Sequence, residues 1–433
     1  MITLTRPAGR VGVPFRLLLV LPVAFLIACG KGGGSDSASG ESGSAPQTAT
    51  PAANAEQDAL DSLVSALEGQ RFEDAAAEAA RFVQRYPASP KLGQALYIRG
   101  RALVSDGRYD EGVADLREMI AKYPRDENAP FAALYAAQGA YMKAYGPLSE
   151  YKIEFEQALP LFEKALEAFR GVATAYATDA QVAPRARLMA AQTLFDIRRR
   201  EEALAGFREY LEKDPHGEYA AQALFQTGTI LAELERNDEA KETYVQLMKE
   251  FPGTQESATA VDRLAELNMI GRPMPGIEVT RWVNRGIQPD QWKGKLLVIT
   301  FWNTWCPHCQ HDMPKIEAVY RKLHSSDLVM LGITDNTKGQ NNALVNQFVS
   351  EKQLTFPIGI DNHGSTTGRF AVGRIPATAI VDREGIVRWR NSGTLLDEVL
   401  IQRFLKSRSG AAAPPARGEK QDSGRTAEGG NVS

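Results

Sequence analysis

Cysteine is scarce in this sequence, and its net charge is small. The 433 residues include three cysteines, whereas small secreted domains held together by disulfides carry many, so a disulfide-rich scaffold is excluded. Fifty Lys and Arg residues are offset by 53 Asp and Glu residues, which leaves a net charge of −3. Without a basic excess to bind phosphate backbones, nucleic-acid binding is disfavoured. The length predicts two or three folded units with tails.

The N-terminal apolar run, residues 17–27, is too short for a membrane span of about 20 residues but suits a signal peptide. It ends in Leu26-Ile27-Ala28-Cys29, which resembles the lipobox of bacterial lipoproteins. The resemblance implies cleavage after residues 1–28 and acylation of the Cys29 thiol, a stable membrane anchor. An ordinary secretory signal with an incidental cysteine is the alternative. Either reading places the chain in the cell envelope, facing the periplasm or the cell exterior, with the choice of membrane left open.

Two segments are predicted to be flexible because they contain almost no large apolar side chains. Residues 29–55 are mainly Gly, Ser, Ala, Thr and Pro, and residues 407–433 have a similar composition. Such segments cannot bury enough surface to offset the entropy lost on ordering. The first is expected to be a tether and the second a disordered tail.

Residues 56–268 show helical periodicity and an internal repeat. Proline ends predicted helices at Tyr86-Pro87 and Tyr123-Pro124, which are 37 residues apart, and again at Asp214-Pro215 and Phe251-Pro252, also 37 apart. A small residue lies twelve positions before each proline: Ala75, Gly112, Ala203 and Ala240. A looser unit around Ala158 follows an insertion at residues 146–152. The pattern resembles tetratricopeptide repeats, which implies a concave surface for a protein partner; a spacer without a partner is the alternative.

Residues 273–406 change to alternating strands and helices, which predicts an α/β domain. A buried strand at 296–302 leads into Cys306-Pro307-His308-Cys309 and then a helix. A cysteine at a helix start meets unpaired N–H groups that favour thiolate, the nucleophilic form, and a second cysteine one turn later can resolve a mixed disulfide. Pro307 suits the first helical turn, and a protonated His308 would stabilise the thiolate further.

Five segments in this domain resemble the TlpA/ResA-like branch of the thioredoxin superfamily. They are Trp292-Lys293-Gly294-Lys295, the stretch from Phe301 to Cys309, Met313-Pro314, Arg374-Ile375-Pro376-Ala377-Thr378, and Ile380-Val381-Asp382-Arg383-Glu384-Gly385. The resemblance implies that Cys306 is the nucleophile and Cys309 the buried resolving cysteine. It implies that Trp305 flanks the site, that Pro314 kinks the helix, and that Pro376, after Ile375, is a cis-proline that binds extended substrate backbone.

Two features depart from the wider superfamily. Thr300 occupies the position of the buried acid of cytoplasmic thioredoxins, so the proton acceptor for Cys309 is open; Asp312 is near in sequence but is as well placed to face solvent. Pro-His between the cysteines resembles the oxidising DsbA branch, whereas TlpA/ResA-like proteins mostly reduce. The direction of electron flow therefore stays open.

Other roles for the cysteine pair are disfavoured. Zinc needs four ligands, and His308 and His311 are the nearest additional candidates at one helix start, so no metal is expected. A c-type haem attachment requires histidine where Gln310 stands. Peroxiredoxins carry threonine three residues before the nucleophile, where this chain has Asn303.

The sequence thus predicts a multidomain protein, an all-α tetratricopeptide-like array followed by an α/β thioredoxin-like domain. We expect an enzyme, a thiol–disulfide oxidoreductase of exported proteins that uses a Cys306–Cys309 disulfide and no other cofactor. A membrane redox partner would recycle the pair, and the array could bind a further protein. The alternative is an envelope assembly scaffold in which the redox domain is secondary.

Overall fold

The structure, a computed structural model, describes residues 51–323 and 325–407. The predicted signal peptide, the Cys29 acylation site, most of the predicted tether and nearly all of the predicted tail lie outside these residues. In the part of the chain that is described, the helices all fall short of the length and apolarity that a bilayer crossing requires.

The repeat array is built of helices joined by short turns. They are α1 (Pro51–Glu68), α2 (Phe72–Arg85), α3 (Leu92–Ser105), α4 (Tyr109–Lys122), α5 (Ala129–Ser149), α6 (Phe155–Ala175), α7 (Val182–Asp196), α8 (Arg200–Lys213), α9 (Ala220–Glu233), α10 (Asn237–Glu250) and α11 (Gln255–Leu267). Because α1 begins at Pro51, the last residues of the predicted tether, 51–55, are helical. Proline suits the first turn of a helix, where its missing N–H would have no partner.

The helix ends of the array follow the repeat pattern. Helices α2, α4, α8 and α10 each end two residues before a proline, with the C-caps Tyr86, Tyr123, Asp214 and Phe251. The four small residues of the pattern are buried between helices. At Gly112 in α4, an added Cβ would lie 2.7 Å from the carbonyl oxygen of Gly100 in α3. Glycine therefore permits an approach of these two helices that a side chain would block.

The C-terminal domain is a six-stranded mixed sheet in the order β1-β4-β3-β2-β5-β6. Its strands are β1 (Val279–Trp282), β2 (Leu296–Phe301), β3 (Leu328–Thr334), β4 (Ile358–Asp361), β5 (Ala377–Val381) and β6 (Val387–Ser392). Its helices are α12 (Pro289–Trp292), α13 (Pro307–Leu323), α14 (Asn342–Glu351), α15 (Ser365–Arg369) and α16 (Glu398–Lys406), with a 3₁₀ turn at Gly393–Leu395. Strands β2, β3 and β4 are parallel, and β5 runs antiparallel to β2.

The sheet places the cysteine pair at the end of a fully buried strand. All six residues of β2 are buried, because the strand has neighbours on both edges and apolar layers on both faces. One layer contains Cys306 together with Cys309 and Met313 of α13. The other includes Met269, which follows the last helix of the array, so the array contributes to the core beneath the sheet.

Candidate redox site

Cys306 caps the helix that carries Cys309. Helix α13 begins at Pro307, and the Cys306 sulfur accepts a hydrogen bond from the backbone N–H of Cys309 at 3.3 Å. A side chain before the first helical residue commonly accepts from the third N–H of the helix, as here. Both cysteines are free thiols, and their exposed fractions are 4% for Cys306 and 0% for Cys309.

The two thiols differ in acidity. Hydrogen bonds from the Cys309 thiol and from the backbone N–H groups of Cys309 and His308 lower the pKa of Cys306 to about 7, against the opposing effects of burial and the Asp312 charge. Burial, together with the neighbouring Cys306 sulfur, raises the pKa of Cys309 well above its ordinary value. At neutral pH a large fraction of Cys306 is therefore thiolate while Cys309 stays protonated.

The His308 ring contacts the repeat array. Its Nδ1 lies 2.5 Å from the hydroxyl of Tyr151, a residue between α5 and α6. His308 lowers the pKa of Cys306 through a hydrogen bond from its backbone N–H. The ring is thus engaged with Tyr151, and stabilisation of the thiolate by a protonated His308 stays a prediction.

The loop before β5 lies against the first cysteine. The Ile375–Pro376 peptide bond is cis, and the Cys306 thiol donates to the carbonyl oxygen of Ile375 at 3.8 Å. The N–H of Gly393 donates to the Pro376 carbonyl oxygen at 3.0 Å, which holds the loop from the other side. The predicted pair Ile375 and Pro376 is therefore adjacent to Cys306.

A polar network holds the segment that leads into Cys306, and its centre was not predicted. The centre is Gln340, whose side chain is buried. Its Oε1 accepts hydrogen bonds from the backbone N–H of Thr304 at 2.6 Å and from the Thr304 hydroxyl at 2.7 Å. Its Nε2 donates to Asn303 Oδ1 at 3.1 Å and to Thr334 Oγ1 at 2.8 Å. Asn303 Nδ2 donates to Asp335 Oδ1 at 3.0 Å. Asn303, which stands where peroxiredoxins have threonine, is thus bonded to the end of β3 and the loop after it.

Trp305 and Pro307 are the residues on either side of Cys306 in the chain. The ammonium of Lys338 lies 4.2 Å from the centroid of the Trp305 ring, a cation–π contact that covers one face of the indole. Pro307 is exposed at the first position of α13. Pro314, the predicted kink residue, lies inside the same helix.

The side chain of Asp312 is buried and does not face solvent. Its Oδ1 lies 3.0 Å from Nδ1 of His311, while its Oδ2 has no hydrogen-bond partner in the protein. The hydroxyl of Thr300, at the position of the missing acid, instead bonds the hydroxyl of Thr378 at 3.0 Å. Asp312 is therefore a carboxylate close to the cysteine pair, one turn beyond Cys309.

Metal chemistry gains no support from the part of the chain that is described. Among these residues, no group of three or more His, Cys, Asp or Glu side chains could hold a metal ion. His308 and His311, the nearest histidines to the cysteine pair, are engaged with Tyr151 and Asp312 respectively.

Comparison with known proteins identifies both parts of the chain. A family model described as AhpC/TSA family matches residues 270–390, and two tetratricopeptide-repeat models match residues 60–127 and 222–254. The thiol-disulfide oxidoreductase ResA of a Bacillus cereus strain is 30% identical over 123 residues, which cover 28% of this chain and 69% of the relative. Through its C-terminal domain, this chain belongs to the ResA-like family of thiol–disulfide oxidoreductases.

Other relatives have related names. Sporulation thiol-disulfide oxidoreductase A of Bacillus subtilis is 31% identical over 110 residues, or 25% of this ResA-like chain and 66% of that protein. A thiol-disulfide isomerase from Corynebacterium glutamicum aligns with a TM-score of 0.29 and 22% identity, over 31% of this chain and 97% of its own. The comparisons confirm the predicted fold class, a tetratricopeptide array followed by a thioredoxin-like domain, and the predicted enzyme class.

Proposed function

We propose that this ResA-like protein exchanges disulfides with exported proteins, with Cys306 as the attacking and Cys309 as the resolving cysteine. The observation that carries the proposal is the opposite acidity of the two thiols within one helical turn. A sulfur with a pKa of about 7 is a thiolate often enough to attack, while a buried thiol with a raised pKa is protected until the mixed disulfide forms.

In the reducing direction, the Cys306 thiolate bonds to one sulfur of a substrate disulfide, which breaks and releases a thiolate that takes up a proton. Cys309 then loses its proton and attacks Cys306, so the mixed disulfide breaks and the second substrate thiol leaves. Two electrons and two protons pass to the substrate, and a Cys306–Cys309 disulfide remains. The reverse sequence of steps oxidises a substrate dithiol, and the measured reduction potential decides between the two directions.

The segments outside the cysteine pair would determine where in the cell this activity occurs and where the substrate binds. Acylation of Cys29 would anchor the chain in the cell envelope, and residues 30–50 would tether the folded part. A chain cleaved before Cys29 and acylated there has no free thiol besides the redox pair, so a separate membrane dithiol or disulfide partner must recycle it. Pro307, His308, Trp305, Ile375 and Pro376 would form the surface on which the substrate backbone lies.

Trapping tests the assignment of the cysteines. In the Cys309→Ser variant the mixed disulfide cannot be resolved, so exported proteins should accumulate on Cys306 as adducts that dithiothreitol releases. The matched Cys306→Ser variant retains a buried thiol and should trap almost none. Equal trapping by both variants, or by neither, would contradict the proposal.

A scaffold role is the second candidate, because tetratricopeptide models match two separate parts of the array. It predicts that Cys306→Ser leaves the cellular phenotype of the wild-type chain unchanged, whereas the redox proposal predicts the phenotype of a deletion.

A further inference from the structure

The hairpin of α5 and α6 is longer than the other hairpins of the array. Each of these two helices has 21 residues, whereas α2, α3, α4, α8, α9 and α10 have 14. Seven further residues extend a helix by about 10 Å at 1.5 Å per residue. The insertion at residues 146–152 therefore forms the end of a long hairpin rather than an irregular loop.

Tyr151 lies at the tip of this hairpin and contacts two side chains of α13. Besides the hydrogen bond to His308 Nδ1, its ring stacks on His311 with centroids 4.2 Å apart and an interplanar angle of 25°. Burial and the charges of Asp312, Cys306 and Cys309 raise the pKa of the phenol, so it stays neutral. The two histidines flank Cys309 along the helix, so the hairpin tip covers the surface of α13 beside the redox pair.

The backbone at Tyr151 has the left-handed turn conformation that recurs between paired helices of the array. Tyr151 has a φ of +56°, in the left-handed region that bulky residues rarely occupy. The N–H groups of Tyr151 and Lys152 donate to the carbonyl oxygens of Leu148 at 3.1 Å and Pro147 at 2.8 Å, which hold the turn. Gln70, Arg198 and Glu235 have the same left-handed backbone at the corresponding turns of the array, so the turn belongs to the repeat and the side chain is what distinguishes position 151.

Tyr151 lies near the attacking sulfur, since the charge of Cys306 is among the causes that raise the pKa of the phenol. Cys306 is 4% exposed and is bordered on one side by Ile375 and on the other by Pro307 and His308. A substrate that reaches the sulfur must pass along this border, and its His308 side is occupied by the α5–α6 hairpin.

We propose that Tyr151 is a specificity-determining residue of the redox site, and that the α5–α6 hairpin forms one wall of the substrate surface. Its phenol ring admits an extended cysteine-bearing segment of an exported protein and excludes bulky folded disulfides. The proposal rests on Cys306 being the attacking thiol. A bulky substrate must displace Tyr151 from its stacking contact with His311 and its hydrogen bond with His308. A small reagent reaches the sulfur without displacing it.

Two probes with the same reactive group but different bulk test this role. The reduced full chain is alkylated at neutral pH with N-ethylmaleimide and with a maleimide carried on a long polyethylene glycol chain, and Cys306 adducts are counted by peptide mass. In Tyr151→Ala, the rate with the bulky probe relative to the small one should rise about five-fold, the value of one aromatic contact. Tyr151→Phe keeps the ring and should retain the wild-type ratio. So should Lys152→Ala, an exposed neighbour that pairs with Glu150.

A ratio that Tyr151→Ala leaves within about two-fold of wild type overturns the inference. Alkylation needs no turnover, so this result is independent of the proposed function. That function fails separately, if the Cys309→Ser variant traps no exported protein.

Discussion

Cys306 and Cys309 show how one helical turn can give two cysteines opposite reactivity. Cys306 lies before the helix and receives its N–H groups, whereas Cys309 lies inside it with no exposed surface. Asp312 acts on both, because its negative charge disfavours a second negative charge on either sulfur. The unpartnered Oδ2 of Asp312 makes this carboxylate the group to examine as the proton acceptor that Thr300 cannot provide.

Replacing Asp312 with Asn should make Cys306 more acidic. The amide has no charge, so the raising effect on the pKa of Cys306 disappears and its value falls below about 7. Iodoacetamide alkylation of Cys306, measured as a function of pH, should show its midpoint at lower pH, with thiolate present in more acidic solution than in wild type. Asp290→Asn, which removes an exposed charge from α12, is the control and should leave the midpoint in place. A midpoint shared by all three proteins would contradict the electrostatic role.

Sequence patterns predicted the site residues that depend on local chemistry but not those that depend on packing. Cys306, Cys309 and Pro376 were singled out as candidates because their spacing and neighbours are distinctive within a few residues. Gln340 and Tyr151 were not, because each reaches the site from a distant segment, and a lone Gln or Tyr carries no local signal. The insertion that precedes α6 was visible in the sequence, yet only the fold shows what its tip touches.

The predicted bounds of strands and helices were most accurate where every residue of the element is buried or where a proline marks its end. The 296–302 run became β2 with a difference of one residue, and the helices before the four repeat prolines end where expected. Strands β1 and β4 were not predicted, since each has four residues and pairs with the other at a sheet edge. Such short strands depend on pairing for their stability, and their sequences carry little periodicity.

Close helix contact in the array makes Gly112 sensitive to any side chain. In Gly112→Ala, the methyl group would meet the Gly100 carbonyl oxygen at 2.7 Å and the Val104 backbone nitrogen at 2.8 Å. Helices α3 and α4 must then separate, so the free energy of unfolding should fall by about 1–3 kcal/mol despite the better helix propensity of alanine.

Gly171 of α6 is the matched control for this substitution. An added Cβ there meets nothing within 4 Å, so Gly171→Ala should raise the free energy of unfolding by about 0.5–1 kcal/mol. Urea denaturation followed by circular dichroism measures both variants. If the two substitutions shift the midpoint in the same direction, close packing is not what requires glycine at position 112.

At the scale of the whole molecule, the array and the thioredoxin-like domain are joined by contacts on several elements. The described residues from 52 to 407 form one compact unit, in which α11 contacts β6. After α11, the Gly271 N–H donates to the Val387 carbonyl oxygen at 2.8 Å, and Glu235, after α9, pairs with Arg403 of α16. The hairpin tip makes a separate contact with the redox domain, through Tyr151 on His308 and His311 of α13.

Glu266 of α11 is the residue on which this interface should depend most. Its carboxylate lies 2.6 Å from Arg263 and 3.8 Å from Arg390 of β6, and the exposed fractions of the three side chains are 5%, 8% and 0%. Glu266→Gln leaves two buried guanidinium groups without their shared anion, and breaking a buried pair in this way costs about 3–5 kcal/mol. The urea midpoint should therefore fall strongly. Glu118→Gln, which breaks the exposed pair with Lys122 on α4, should leave the midpoint almost unchanged.

Because the redox helix and the hairpin keep their relative position through this interface, Glu266→Gln should also raise the bulky-to-small maleimide ratio at Cys306 towards that of Tyr151→Ala. A destabilised variant with the wild-type ratio would show that the interface holds the fold without controlling access to the sulfur.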